Sequence, residues 1–220
     1  MSTEDPLVRY FAQRASEFER VYQKQERQAE LQKLREYVES NFAGLDVLEV
    51  ACGTGYWTEV LQRTAASVVA TDITDEVLAI AHSKSLGPKV TLQREDAYAL
   101  PSFPQRFNAG LSAFWWSHIP RDRVQEFVVG FHGALAPGAR VVFMDNVYAV
   151  GNSTPTSHTN ERGDTYQTRT LDDGSTHAVL KNFWTQADLA ATVEGLATNV
   201  QIEFWQYYWI LSYRTEAVAF

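Results

Sequence analysis

Glu49, Gly53, Gly55, Asp72 and Asp96 are the residues whose types and spacing suggest chemistry. Glu49 sits in an apolar run, Val47-Leu48-Glu49-Val50, that stops at Ala51-Cys52-Gly53-Thr54-Gly55 before a helix-like pattern begins. An apolar strand, a small-residue turn and a helix form the opening half of a nucleotide-binding βαβ unit. Glycines in the turn let the backbone adopt positive φ and approach a ligand closely. The helix that follows offers free N–H groups and the positive end of its dipole. The turn is not the dinucleotide form, which reads G-x-G-x-x-G and seats a pyrophosphate. A carboxylate at Glu49 repels a phosphate and suits a cationic ligand. Asp72 ends a second buried-type strand, Ser67-Val-Val-Ala-Thr71, a little over twenty residues after Glu49. A carboxylate there can accept both hydrogen bonds of a ribose diol, or can simply cap the next turn. Asp96 follows a third alternating run, residues 89–94.

A second group lies further along. His118 follows the fourth strand and is a candidate general base, or a histidine bonded to nearby backbone. Trp115 and Trp116 are adjacent, so in an extended segment at least one of them faces the crevice, and both could stack on a flat acceptor or pack the core. Asn146, Tyr148, Tyr166 and Trp184 lie where they could extend that wall, or could pack the interior.

Positioning these groups requires a parallel sheet, whose carboxyl ends line one crevice. The patterning predicts helices over 5–22 and 25–40, the first opened by Asp5-Pro6 as cap and first-turn proline. It predicts strands near 45–50, 67–72, 89–94, 107–113 and 140–147, with helices over 55–64, 75–84 and 120–136 between them. Asp75 is expected to cap the helix at 75–84. Residues 165–171 and 175–181 alternate around Asp172-Asp-Gly174, a hairpin signal. A helix over 185–196 and strands at 201–205 and 207–214 complete the chain.

Glu49-x-Ala51-x-Gly53-x-Gly55 resembles motif I of the class I S-adenosylmethionine-dependent methyltransferases, with Ala51 in place of the first glycine. That replacement is expected to be tolerated through a negative φ. Asp96-Ala97, Leu135-x-Pro137-Gly138 with Phe143, and Tyr10-Phe-Ala-Gln-Arg14-Ala-Ser-Glu-Phe18 are similar to further features of the small-molecule, ubiquinone/menaquinone-like members. The resemblance spans about residues 8–215 and is strongest from 47 to 143. It implies an α/β fold: a Rossmann-like seven-stranded sheet with helices on both faces, an N-terminal helical cap and an insert after strand five. It implies one methyltransferase domain, divided into a cap (1–42), a cofactor-binding core (43–147), a substrate-side insert (148–183) and C-terminal helix and strands (184–220). S-adenosylmethionine is the implied cofactor. Its site would comprise Tyr10, Arg14, Glu49, Ala51, Gly53, Gly55, Asp72, Ile73, Asp96, Ala97 and Ser112, with Arg14 on the methionine carboxylate and Asp96-Ala97 on adenine. Three acids then match an amine, a diol and an amino group in turn. Tyr10, Trp115, Trp116, Asn146, Tyr148 and Tyr166 are the expected substrate wall. Asp145-Asn146 is similar to part of the metal site of catechol-type enzymes, but the matching position after strand four carries Ser112-Ala113-Phe114, so no metal is expected.

The net charge of −8 argues against nucleic acid or an anionic membrane as partner. A single cysteine, Cys52, excludes an intrachain disulfide, and no signal-peptide pattern opens the chain; a cytoplasmic location is expected. The reading is a methyltransferase acting on a small, planar aromatic or heteroaromatic metabolite, by N- or O-methylation through in-line displacement. An NAD-dependent oxidoreductase, which would lack its third glycine, and a non-catalytic cofactor-binding relative, which would show decay at Glu49, Gly53, Gly55 or Asp72, are the alternatives. No Asn/Asp-Pro-Pro-Tyr motif follows strand four, as amino-directed DNA and protein enzymes often have.

Overall fold

The computed structural model describes residues 5–216. Seven strands form one sheet in the order β3-β2-β1-β4-β5-β10-β9. They are β1 (Asp46–Val50), β2 (Ser67–Asp72), β3 (Val90–Arg94), β4 (Phe107–Ala113), β5 (Leu135–Asn146), β9 (Ala197–Phe204) and β10 (Tyr208–Thr215). β1 to β5 pair in parallel, and β10 runs antiparallel between β5 and β9. The chain order reverses at β1, so the crevice beyond the carboxyl ends of β1 and β4 is the topological switch point. Asn108 accepts a hydrogen bond from Asp46 N at 2.8 Å and so aligns the start of β4 with β1.

Alternation along the strands explains why both faces are covered. Val142, Met144, Tyr208 and Ile210 pack with α2 (Gln28–Asn41) and α3 (Tyr56–Thr64) on one face. Val141, Phe143, Trp209 and Leu211 pack with α5 (Val124–Gly133) and α6 (Gln186–Val193) on the other. α6 is closed by a capping box of Thr185 and Asp188.

Three local expectations change. The segment expected as one helix over 5–22 is α1 (Pro6–Arg14) followed by a 3₁₀ stretch, Ala15–Tyr22. The chain tightens where Phe18 meets Gly53 and where Glu19 accepts from Thr54 and Lys84 at 2.8 and 2.6 Å. Asp5 does cap α1, accepting from Leu7 N at 2.8 Å. α4 (Asp75–Ser83) is entered at Thr74, and Asp75 is its first residue rather than its cap. The helix expected over 120–136 is shorter, because Arg121–Arg123 winds as a 3₁₀ turn and β5 already begins at Leu135. The stop at Ala136-Pro137-Gly138 is a break inside that strand, where β4 pairing shifts from Phe107↔Leu135 to Ala109↔Arg140.

The insert is a small antiparallel sheet, β6 (His158–Thr159), β7 (Thr165–Thr170) and β8 (Thr176–Leu180). The β7–β8 hairpin matches the alternation in the sequence, whereas β6 has too few residues to be read there. Among the described residues no helix is long and apolar enough to cross a membrane.

Candidate active site

The β1–α3 turn builds the first wall. Gly53 and Gly55 both take positive φ, +57° and +79°. A Cβ at Gly53 would stand 2.9 Å from the Phe18 ring, so the turn presents bare backbone beneath an aromatic lid. Ala51 also takes positive φ, +58°, contrary to the expected negative value. Its site needs the left-handed conformation that the usual glycine supplies freely, at a cost of about 1–2 kcal/mol for an L side chain. Ala51→Gly is therefore expected to leave stability between unchanged and about 1 kcal/mol higher, since glycine's extra unfolded-state freedom offsets part of the relieved strain. Chemical denaturation of both proteins measures this, and a clear loss of stability would contradict it.

Asp72, at the end of β2, ties two turns together. Its carboxylate accepts from Gly53 N and from Thr74 N, both at 2.9 Å. Each oxygen retains a lone pair, which is what a ribose diol requires. Burial raises its pKa, and the two backbone hydrogen bonds oppose that rise.

Glu49 differs from expectation. It is buried beneath the turn, accepts from Thr58 Oγ1 at 2.6 Å and does not line the cavity. Burial pushes its pKa up to about 8; the Thr58 bond opposes this, and the nearby Asp72 charge adds to it. A carboxyl group whose folded pKa is raised binds its proton more tightly when folded. Its contribution to stability is present below the ordinary value of 4.5 and is lost as pH rises through about 8. The thermal midpoint of the unliganded wild type should therefore fall more steeply between pH 5 and 8 than that of Glu49→Gln, by roughly 2–4 °C per kcal/mol for a chain of this size. Parallel curves would show that Glu49 is ionised in the fold.

One cavity of about 480 Å³ runs along the switch point. Tyr10, Arg14, Ala51, Gly53, Asp72, Ile73, Asp96, Ala97, Trp115, His118 and Asn146, all candidates from the sequence, line it. Gly55, Ser112, Trp116, Tyr148 and Tyr166 do not. Gly55 is the N-cap of α3, closed over by Ala81. Ser112 is buried within β4. Trp116 is the inward member of its pair, packed against Phe143, Trp184 and Trp209. Tyr148 is 40% exposed and edge-on to Phe183. Tyr166 stacks on His158 at 4.4 Å. Trp184, also considered for this wall, lies in the core with Trp116.

The opposite wall comes from the insert and contains residues that the sequence reading missed. Arg169 on β7 is gripped by Gln167, whose Oε1 accepts from Nη2 at 2.8 Å and from Nε at 3.3 Å. Its Nη1 lies 3.3 Å from the Tyr10 hydroxyl, which joins the insert to α1. Arg14 lies against the Tyr10 and Phe18 rings, 5.8 and 5.4 Å from their centroids. Burial lowers its pKa, and Arg169 acts on it more strongly than Glu17 does. Neither arginine forms an ion pair among the described residues.

Lys181, just past β8, is buried at the base of this wall. It donates to Ser117 Oγ at 2.5 Å and to Asp145 Oδ1 and Asn146 Oδ1 at 3.0 Å. Burial brings its pKa down to about 8 against the pull of Asp145. His118 donates Nδ1–H to Leu180 O at 2.6 Å, which leaves Nε2 as the lone-pair nitrogen. Burial and the charges of Lys181, Arg169 and Arg14 hold its pKa well below 6.5, so the ring is neutral at pH 7. Among the described residues no group of three or more His, Cys, Asp or Glu side chains could hold a metal ion.

Residues 47–138 match a family model described as a methyltransferase domain. No curated protein matches the chain. Among solved structures, a DhpI–SAH complex is similar at 28% identity and a TM-score of 0.76, with 97% of each chain covered. A DhpI–SAM–HEP complex is similar at 27% identity and 0.77, covering 97% of this chain and 100% of that one. SAM-bound CalS10, an amino pentose methyltransferase from Micromonospora echinaspora, shares the fold at 17% identity and 0.63, with 90% and 96% covered. The sheet order is that of a Rossmann-like methyltransferase, and together with the matching domain model and the SAH- and SAM-bound relatives it supports a class I S-adenosylmethionine-dependent methyltransferase.

Proposed function

We propose that the protein methylates a small acceptor that carries an acid group, at an oxygen or nitrogen, by direct in-line displacement. The observation that carries this reading is Arg169, which lines the cavity beside Tyr10 and, among the described residues, forms no ion pair. When bound, S-adenosylmethionine supplies an electrophilic methyl group on a sulfonium. Asp72 holds the ribose hydroxyls, Asp96 and Ala97 border the adenine, and the bare backbone of Gly53 faces the methionine end. Arg14 takes the methionine carboxylate.

That assignment leaves Arg169 unused by the cofactor. A guanidinium beside a sulfonium is repulsive unless an anion lies between them. An acid group on the acceptor removes the repulsion and accepts paired N–H bonds from Arg169. Tyr10 and Trp115 give the cavity two of the aromatic walls expected for a planar acceptor. His118 acts by accepting a hydrogen bond at Nε2 from an N–H or O–H of the acceptor beside its ionised acid group, which orients the acceptor. With its pKa so low, it is a poor store for a proton, and an already ionised acid oxygen needs none removed. Orientation and exclusion of water supply most of the acceleration.

A screen with labelled cofactor tests this reading. Small acids should accept the label, whereas their amides and neutral esters should not. Equal labelling of acids and neutral analogues would refute it.

A further inference from the structure

The same cavity extends past Arg169 to a second pair of cations, Lys24 and Arg27, on the chain entering α2. Arg27 is 6% exposed, with its guanidinium 5.1 Å from the Tyr207 centroid and 5.7 Å from that of Tyr208. Both cations converge on one neutral side chain, Asn152 in the loop after β5. Arg27 Nε donates to Asn152 Oδ1 at 2.7 Å, and Nη2 donates to the same oxygen. Lys24 Nζ donates to Asn152 O at 2.9 Å and lies 3.5 Å from Oδ1. Glu26 is exposed and accepts from the amide nitrogen, on the other end of Asn152. Neither Lys24 nor Arg27 has an ion pair among the described residues, whereas neighbouring Arg20 is matched by Asp172 at 2.8 Å.

A buried guanidinium without a counter-charge is costly, and an amide oxygen compensates it poorly. The chain has 27 acidic residues to 19 basic ones, yet places an asparagine where an aspartate would neutralise both cations. Such an arrangement is balanced when an external anion completes it.

We propose that Lys24 and Arg27, with Asn152 between them, form a second anion subsite of the acceptor cavity, so that the acceptor carries two separated acid groups. This rests on the reading of Arg169 as the anchor of the first. The incoming anion replaces the Asn152 oxygen on Arg27 and Lys24, and Asn152 with its loop moves aside. No bond is made or broken there; the subsite selects for length and charge.

Calorimetric titration of the S-adenosylhomocysteine-loaded protein tests the proposal, with a ladder of straight-chain α,ω-diacids and the monoacids of matching length as probes. The best diacid is expected to bind at least about tenfold more tightly than its monoacid, the worth of one further charge-assisted hydrogen-bonded contact. Arg27→Met should erase that advantage while leaving the monoacid within about twofold. Asn152→Asp should erase it too, by filling the subsite from within, and should raise the thermal midpoint; this variant keeps the test open if Arg27→Met does not fold. A ladder in which no diacid gains over its monoacid, or a gain that survives both variants, overturns the proposal. Loss of the acid anchor reads differently: monoacids then fail to bind and Arg169→Met changes nothing, while the thermal gain of Asn152→Asp still reports on the second subsite.

Discussion

Asp72→Ala is expected to weaken S-adenosylhomocysteine binding about a hundredfold, close to 3 kcal/mol. Two effects add. The proposed ribose contacts are hydrogen bonds to an ionised group, each worth about 1.5–3 kcal/mol in a buried setting. The same carboxylate also holds Gly53 N and Thr74 N, so its loss frees the turn proposed to face the methionine end of the cofactor. Asp72→Asn separates the two effects. It keeps the shape and one acceptor oxygen, but turns an N–H₂ group toward either a backbone donor or the ribose. Its thermal midpoint should stay nearer the wild type than that of Asp72→Ala, while its affinity remains poor. Calorimetry with purified protein measures both variants, and an affinity within twofold of wild type in Asp72→Ala would remove this residue from the site.

Arg169→Met is expected to lower kcat/KM for the acceptor by about 10²–10³, from the loss of a paired guanidinium contact worth about 3–4 kcal/mol. Cofactor affinity should stay within about twofold, because Arg14 and not Arg169 is assigned to the methionine carboxylate. Arg169→Lys should fall between the two, since a lysine keeps the charge but not the fork. A pH profile adds a second readout. Arg169 is one of three cations, with Lys181 and Arg14, that hold the His118 pKa down. Removing it eases protonation of the ring, so any acid limb due to His118 should move to higher pH in Arg169→Met. Unchanged kcat/KM across the acids of the screen would place the acceptor's charge elsewhere.

Much of the architecture was readable in advance because it follows from local patterning. Near-continuous apolar runs in Val47–Val50, Val141–Met144 and Tyr208–Leu211 mark strands covered on both faces, because neighbours alternate between them, and the parallel order then brings Asp72 and Asp96 to one crevice. The same rule explains the errors. Alternation says that neighbours face opposite ways but not which side meets the cavity. Trp115 and Trp116 are both expected at the substrate wall, at least one of them facing the crevice, but the segment winds as a 3₁₀ turn rather than a strand, and packing against Phe143, Trp184 and Trp209 buries Trp116. On β7, Tyr166 stands out as an aromatic, yet Gln167 and Arg169 point from the opposite face of the strand, and Arg169 there reaches Tyr10 of α1. An arginine on the same face of the hairpin strand as a glutamine two residues before it is the one signal the sequence carries.

The sequence by itself determined the sheet, the glycine turn and the acids at the strand ends, because these depend on residue types within a few positions of one another. The tertiary structure alone decided three things. It set the positive φ of Ala51, which depends on how the turn is pinned by Asp72 and β2. It put Glu49 under the turn, bonded to Thr58 of α3, rather than in the cavity. And it gathered Arg14, Lys24, Arg27 and Arg169 around one space, which depends on an insert folding back onto the N-terminal helices. Charges far apart in a chain carry no mark of their neighbours, and it is the folded chain's failure to neutralise these that points to what the protein binds.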